Sequence, residues 1–99
     1  MNIFMLCNLG MSTGMMVKKL EQEAAKRNLE ATVHAYPMVE LDEHLDGTDA
    51  ILLGPQIRYL QKRISEMAPG KPVEVIDMMA YGMMDGKKVY SDIKKYMED

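Results

Sequence analysis

The chain has 99 residues, enough for a single domain over 1–99 that buries roughly 60 to 65% of its unfolded surface without help from a metal or disulfide. Its 15 Asp and Glu outnumber 12 Lys and Arg, for a formal charge of −3, which argues against nucleic acid as a partner and points to proteins and small molecules. One cysteine excludes an internal disulfide, and with no leader and no apolar run of spanning length the expected setting is the reducing cytoplasm, without direct membrane insertion.

Taken in chain order, the run Asn2-Ile3-Phe4-Met5-Leu6-Cys7 is nearly all apolar, as in a strand covered on both faces. Gly10 and Gly14 punctuate it, and from Met15 to Leu29 the residues Met16, Val17, Leu20 and Ala24 form one helical stripe. Ala31 to Tyr36 reads as a second strand closed by Pro37, followed by a short helical segment to Asp46. Asp49 to Gly54 repeats the buried-strand pattern, and Ile57, Leu60, Ile64 and Met67 recur at helical spacing. Pro72 to Asp77 makes a fourth strand, and after a Met-rich turn Val89, Ile93, Tyr96 and Met97 define a terminal helix capped by Asp85.

This alternation predicts an α/β fold: a four-stranded parallel sheet in the order 2-1-3-4, doubly wound, with helices on both faces and an architecture similar to low-molecular-weight tyrosine phosphatases. In that order the sheet reverses direction between strands 1 and 3. Ligands of such sheets bind beyond the carboxyl ends of the strands at the reversal, which brings the loop after Cys7 toward Gly54-Pro55-Gln56. The twelve methionines read as core filling together with Ile, Leu and Val.

Chemistry concentrates in Cys7-Asn8-Leu9-Gly10-Met11-Ser12-Thr13-Gly14, a thiol followed by small and polar residues and then a helix. Glycines let successive N–H groups converge, the unpaired amides of a helix start favour a dianion, and the Ser12 and Thr13 hydroxyls add donors. The same field lowers the pKa of a thiol, making Cys7 a nucleophile near neutral pH. The alternative is that Cys7 is a small buried apolar residue at a strand end. Phosphatases and arsenate reductases of similar architecture carry Cys-x5-Arg, but this chain has Thr13 where their arginine stands, and Lys18 and Lys19 follow only after the first helical turn. The inference is a phosphoryl carrier in preference to a hydrolase.

At these residues the chain resembles the enzyme IIB subunits of the lactose and cellobiose (chitobiose) class of the bacterial phosphoenolpyruvate-dependent sugar phosphotransferase system. The marks are the strand ending in Cys7, Gly10-Met11-Ser12-Thr13, the block Leu52 to Ile57, and the block Lys71 to Asp77 with Tyr81-Gly82 and Asp85-Gly86 beyond. The resemblance implies a phosphotransferase that accepts phosphate on Cys7 from a histidine of a IIA subunit and passes it to a sugar held by the IIC permease. It implies no cofactor. Asn8-Leu9 is bulkier than the small pair common in cellobiose members, so the sugar stays open, with a β-linked disaccharide such as cellobiose or chitobiose favoured.

Gln56 and Tyr81 are further candidates for the site rim or a partner contact, and each has an ordinary structural reading as a helix-start residue and a turn tyrosine. Leu9, Met11 and Met15 are candidates for a docking patch, with at least one of Met15 and Met16 packed inside. His34 and His44 match no zinc spacing, and no metal is expected. Two other classes compete with the carrier: a small cysteine phosphatase or arsenate reductase, and a regulatory module whose phosphorylated state is read by a transcription factor.

Overall fold

In the computed structural model, residues 2–6, 11–28, 31–36 and 40–97 are described, with the side chains of 11–13 and 96–97 outside that description. Strand β1 (Asn2–Leu6) leads into helix α1 (Met11–Lys26), β2 (Thr32–Tyr36), a short α2 (Leu41–His44) with a 3-10 turn over Leu45–Gly47, and β3 (Ala50–Leu53). A 3-10 segment over Pro55–Leu60 then runs into α3 (Gln61–Met67), followed by β4 (Val73–Val75), α4 (Met78–Gly82) and α5 (Gly86–Met97). The strands pair in parallel in the order β2-β1-β3-β4, as the alternation predicts. At the carboxyl end Leu6 stands between Tyr36 and Leu53, and Leu53 pairs with Val75.

Strand side chains alternate between two faces, so the apolar runs fill two cores. Ile3, Met5 and Leu52 join Met16, Leu20 and Ala24 of α1 with Val89, Tyr90 and Ile93 of α5. Phe4, Leu6, Ile51 and Leu53 instead meet Leu41, Ile57, Ile64 and Ala68 on the α2 and α3 side. β1 and β3 are thus buried on both sides, which is why they read as unbroken apolar runs. α5 lies so close to α1 that a Cβ added at Gly86 would fall 2.5 Å from the Lys19 Cβ. A larger residue there would hold the helices apart.

Several boundaries differ from the sequence reading. α1 opens at Met11, four residues before the expected Met15, and closes at Lys26, its end marked by Asn28 at φ +59°, a left-handed position that asparagine tolerates. The fourth strand stops at Val75 because Asp77 turns to capping: its Oδ2 accepts the Ala80 N–H at 3.0 Å, and the expected Met-rich turn is helix α4. Ile57, at φ −118° and ψ 24°, breaks the helix expected to run through it, although it and Ile64 are buried as their spacing requires. Asp85 caps α5 as expected, its Oδ1 accepting the Lys88 N–H at 3.1 Å. Of the methionines whose side chains are described, only Met5 and Met16 are core, whereas Met15, Met78, Met79 and Met83 are more than half exposed. Composition counts thioethers without saying which way they face.

Candidate functional site

The carboxyl rim of the sheet is where the chain leaves each strand. The Leu6 carbonyl accepts the Gly54 N–H at 2.9 Å and the Leu53 carbonyl accepts the Ile76 N–H at 2.9 Å, so the ladder extends to the rim and fixes the exits of β1, β3 and β4 side by side. β1 crosses to β2 through α1 on one face, and β3 crosses to β4 through α3 on the other. These opposed crossovers put the point of sheet reversal at the Leu6 and Gly54 exits, as the strand order implies.

Cys7, Asn8, Leu9 and Gly10 lie outside the described residues. Leu6, the residue before Cys7, is fully buried at the rim. Met11, Ser12 and Thr13, expected in a loop, form the opening turn of α1, so their N–H groups have no acceptor one turn back within the helix. That turn carries no carboxylate. Its dipole end therefore favours an anion, with no carboxylate of its own first turn to compete. Gly14 belongs to the same turn and is exposed, and among the described residues a Cβ there would touch nothing within 4 Å.

No guanidinium is supplied from α1. Arg27 sits at the far end of that helix, its Nη1 donating to Glu23 Oε2 at 2.9 Å and to the Glu23 carbonyl at 3.1 Å, with its guanidinium 4.4 Å from the centre of the Tyr90 ring. The Arg27 and Lys26 hydrogen bonds hold the Glu23 carboxyl below its ordinary value against the opposing effect of desolvation. Lys19 leans on Gly86 in the seam between α1 and α5.

Gln56 is exposed two residues beyond Gly54, at the start of the 3-10 segment. Tyr81, expected in a turn, lies in α4 with 7% of its surface exposed, packed in the core that also holds Met16 and Ala80. Met15 is exposed and Met16 is buried, as the paired reading required. His34 lies in β2 as expected and, with Tyr36, Glu43 and His44, lines a cavity of about 230 Å³ that reaches Asn2 and Thr48 at the amino ends of β1 and β3, away from the rim. His44 stacks on Tyr36 at 3.9 Å.

Sequence reasoning missed two sets of residues near the rim. Met78 and Met79 open α4 directly after the capping Asp77, and their exposure of 58% and 73% has no signal in a count of methionines. Arg58, Tyr59, Lys62 and Arg63 are all exposed, opposite the buried Ile57 and Ile64. Their signal was present in the spacing, since 58 and 62, and 59 and 63, stand one turn apart.

Fold and rim together define a small open α/β domain with an anion-receptive helix start at its sheet reversal. The chain belongs to the family of lactose/cellobiose-specific IIB subunits of the PTS system, whose family model matches residues 2–92. It is 39% identical over 97 residues to the oligo-beta-mannoside-specific EIIB component of Bacillus subtilis, covering 96% of this chain and 94% of that protein. It is 34% identical over 102 residues to the cellobiose-specific EIIB component of Lactococcus lactis, with the same coverage. Among solved structures, the cellobiose-specific phosphotransferase IIB component of Borrelia burgdorferi superposes with a TM-score of 0.77 at 38% identity, covering 98% of this chain and 91% of the other. The lactose-specific IIB domain of Streptococcus pneumoniae shares the fold at a TM-score of 0.81 and 14% identity, covering 99% and 98%. The chain is thus a component of a sugar phosphotransferase system.

Proposed function

We propose that this chain is a cytoplasmic phosphoryl relay acting as one IIB domain, with Cys7 as its nucleophile. The Cys7 thiolate attacks the phosphorus of a IIA phosphohistidine, an S–P bond forms as the N–P bond breaks, and the histidine leaves with the electron pair. In the second step a hydroxyl of the sugar held by the IIC permease attacks, the S–P bond breaks, the thiolate is regenerated and the hydroxyl proton is released. Between the steps the dianion is held by the backbone of Asn8 to Gly14 and the hydroxyls of Ser12 and Thr13, with Gln56 and Tyr81 as rim candidates.

The observation that carries this reading is the place of the only thiol in the sequence: it follows the last residue of β1 and precedes an α1 opening turn whose amides have no acceptor within the helix and which carries no carboxylate. Thr13 in place of an arginine favours a carrier, because no fixed guanidinium stabilises attack by water. The relatives named for oligo-beta-mannoside and cellobiose support a β-linked disaccharide or short oligosaccharide as the sugar.

Incubation with phosphoenolpyruvate, the general carrier proteins and a matching IIA is expected to add one phosphoryl mass to the Cys7 peptide, and none to Cys7→Ser. A modified peptide without Cys7 would sink the assignment. Steady hydrolysis of an aryl phosphate by the purified chain would favour the hydrolase instead.

A further inference from the structure

Residues 54–65 contain Arg58, Lys62 and Arg63 and no Asp or Glu, so this stretch carries +3 while the rest of the chain carries −6 to give −3 in total. All three cations are exposed, and among the described residues none takes part in a salt bridge or side-chain hydrogen bond. Tyr59, 77% exposed, stands among them. Elsewhere Arg27 and Lys26 are joined to Glu23, Lys88 to Asp92, Lys95 to Glu74, and Lys71 to the Thr48 carbonyl. The stretch begins at Gly54, whose N–H is bonded to Leu6, the residue before Cys7, and runs from the rim down the outer side of α3.

We propose that Arg58, Tyr59, Lys62 and Arg63 form the docking surface for an acidic partner protein, and, resting on the relay reading above, that this partner is the phosphoryl donor. An anionic protein approaching a body of charge −6 is turned toward its +3 face, and that face adjoins the rim where the thiol follows Leu6. Arginine and tyrosine are the residue types that anchor interfaces, and steering by a few unpaired charges speeds encounter without slowing release. That suits a partner that must leave after each transfer. An anionic membrane fits less well: lipid-binding clusters carry about four to eight cations, and the remaining charge of this chain is repelled by such a surface.

The test uses the full chain and a IIA protein of the lactose/cellobiose class. In a ¹⁵N-labelled sample titrated with unphosphorylated IIA, the amides from Gln56 to Arg63 are expected to shift, and the shifts fade as salt is raised past ~0.3 M. Arg58→Glu is expected to lower kcat/KM for phosphoryl acceptance about tenfold at low salt, whereas Lys94→Glu, an equal charge change on exposed α5, leaves it unchanged. Shifts that leave out 56–63, or equal effects of the two substitutions, overturn the proposal. Binding to phosphatidylglycerol vesicles that Arg58→Glu abolishes, with transfer unaffected, overturns it in favour of the membrane. Since the titration needs no phosphate on Cys7, a failed relay with intact shifts at 56–63 removes only the donor assignment.

Discussion

The two faces of the sheet use their arginines in opposite ways. On the α1 and α5 side, Arg27 is tied to Glu23 and laid over the Tyr90 ring, so its charge is spent inside the molecule and its stem covers the core. On the α3 side, Arg58, Lys62 and Arg63 stand exposed while Ile57, Leu60 and Ile64 anchor that segment inward. The same residue type serves as scaffold on one face and is presented to solvent on the other. What separates Arg27 from Arg58 is whether a carboxylate lies within a turn: Glu23 is four residues from Arg27, while the nearest acids in sequence to Arg58 are Asp49 and Glu66.

Breaking the scaffold side should have the largest effect. Tyr90 is fully buried between the two helices, and Tyr90→Ala is expected to cost about 3 to 5 kcal/mol by denaturant titration, comparable with other large aromatic truncations. Next comes Gly86→Ala, which drives a Cβ into Lys19 and pushes α5 off α1; a loss of about 1 to 3 kcal/mol is expected, with the midpoint of thermal unfolding as the readout.

The Glu23 pair gives a smaller effect with a defined pH dependence. Its native carboxyl is held below the ordinary 4.5, so its stabilising contribution is present above 4.5 and is lost as the pH falls through the lowered native value. The melting temperature of wild type should exceed that of Glu23→Gln at neutral pH, and the two should converge in acid. A gap that widens on acidification would contradict the pairing. Smallest of all is Arg58→Ala: with no partner among the described residues to lose, stability should stay within about 0.5 kcal/mol of wild type by the same titration. A larger loss would mean that Arg58 belongs to the scaffold after all.

Much of this architecture was legible because β1 and β3 are covered on both sides and so leave unbroken apolar runs, and because strand and helix patterns alternate. The start of α1 was not, since Gly10, Ser12, Thr13 and Gly14 are all turn formers and local propensity says loop, yet Met16, Leu20 and Ala24 hold the helix onto the sheet and carry it back to Met11. Asp77 was read as the end of a strand, when its carboxylate serves the amide of Ala80 and begins a helix. At the site, the order of the strands was enough to bring Gly54 against Leu6, because a sheet reversal follows from topology alone. Tyr81 was placed in the loop after the fourth strand, and the Asp77 cap that makes the segment helical was needed to put its ring in the core. The basic face was written in the sequence at one-turn spacing but was passed over, since a helix is found by its apolar stripe and the opposite stripe is seldom interrogated.

β2 forms one border of the sheet, and its outward amide at Val33 is already occupied, donating to Glu21 Oε2 at 3.0 Å. β4, the other border, is three residues long. A foreign strand seeking to extend this sheet finds a stoppered donor at one margin and little length at the other. The two margins therefore offer little for strand-by-strand growth, and the encounters of the domain are left to its helices and loops.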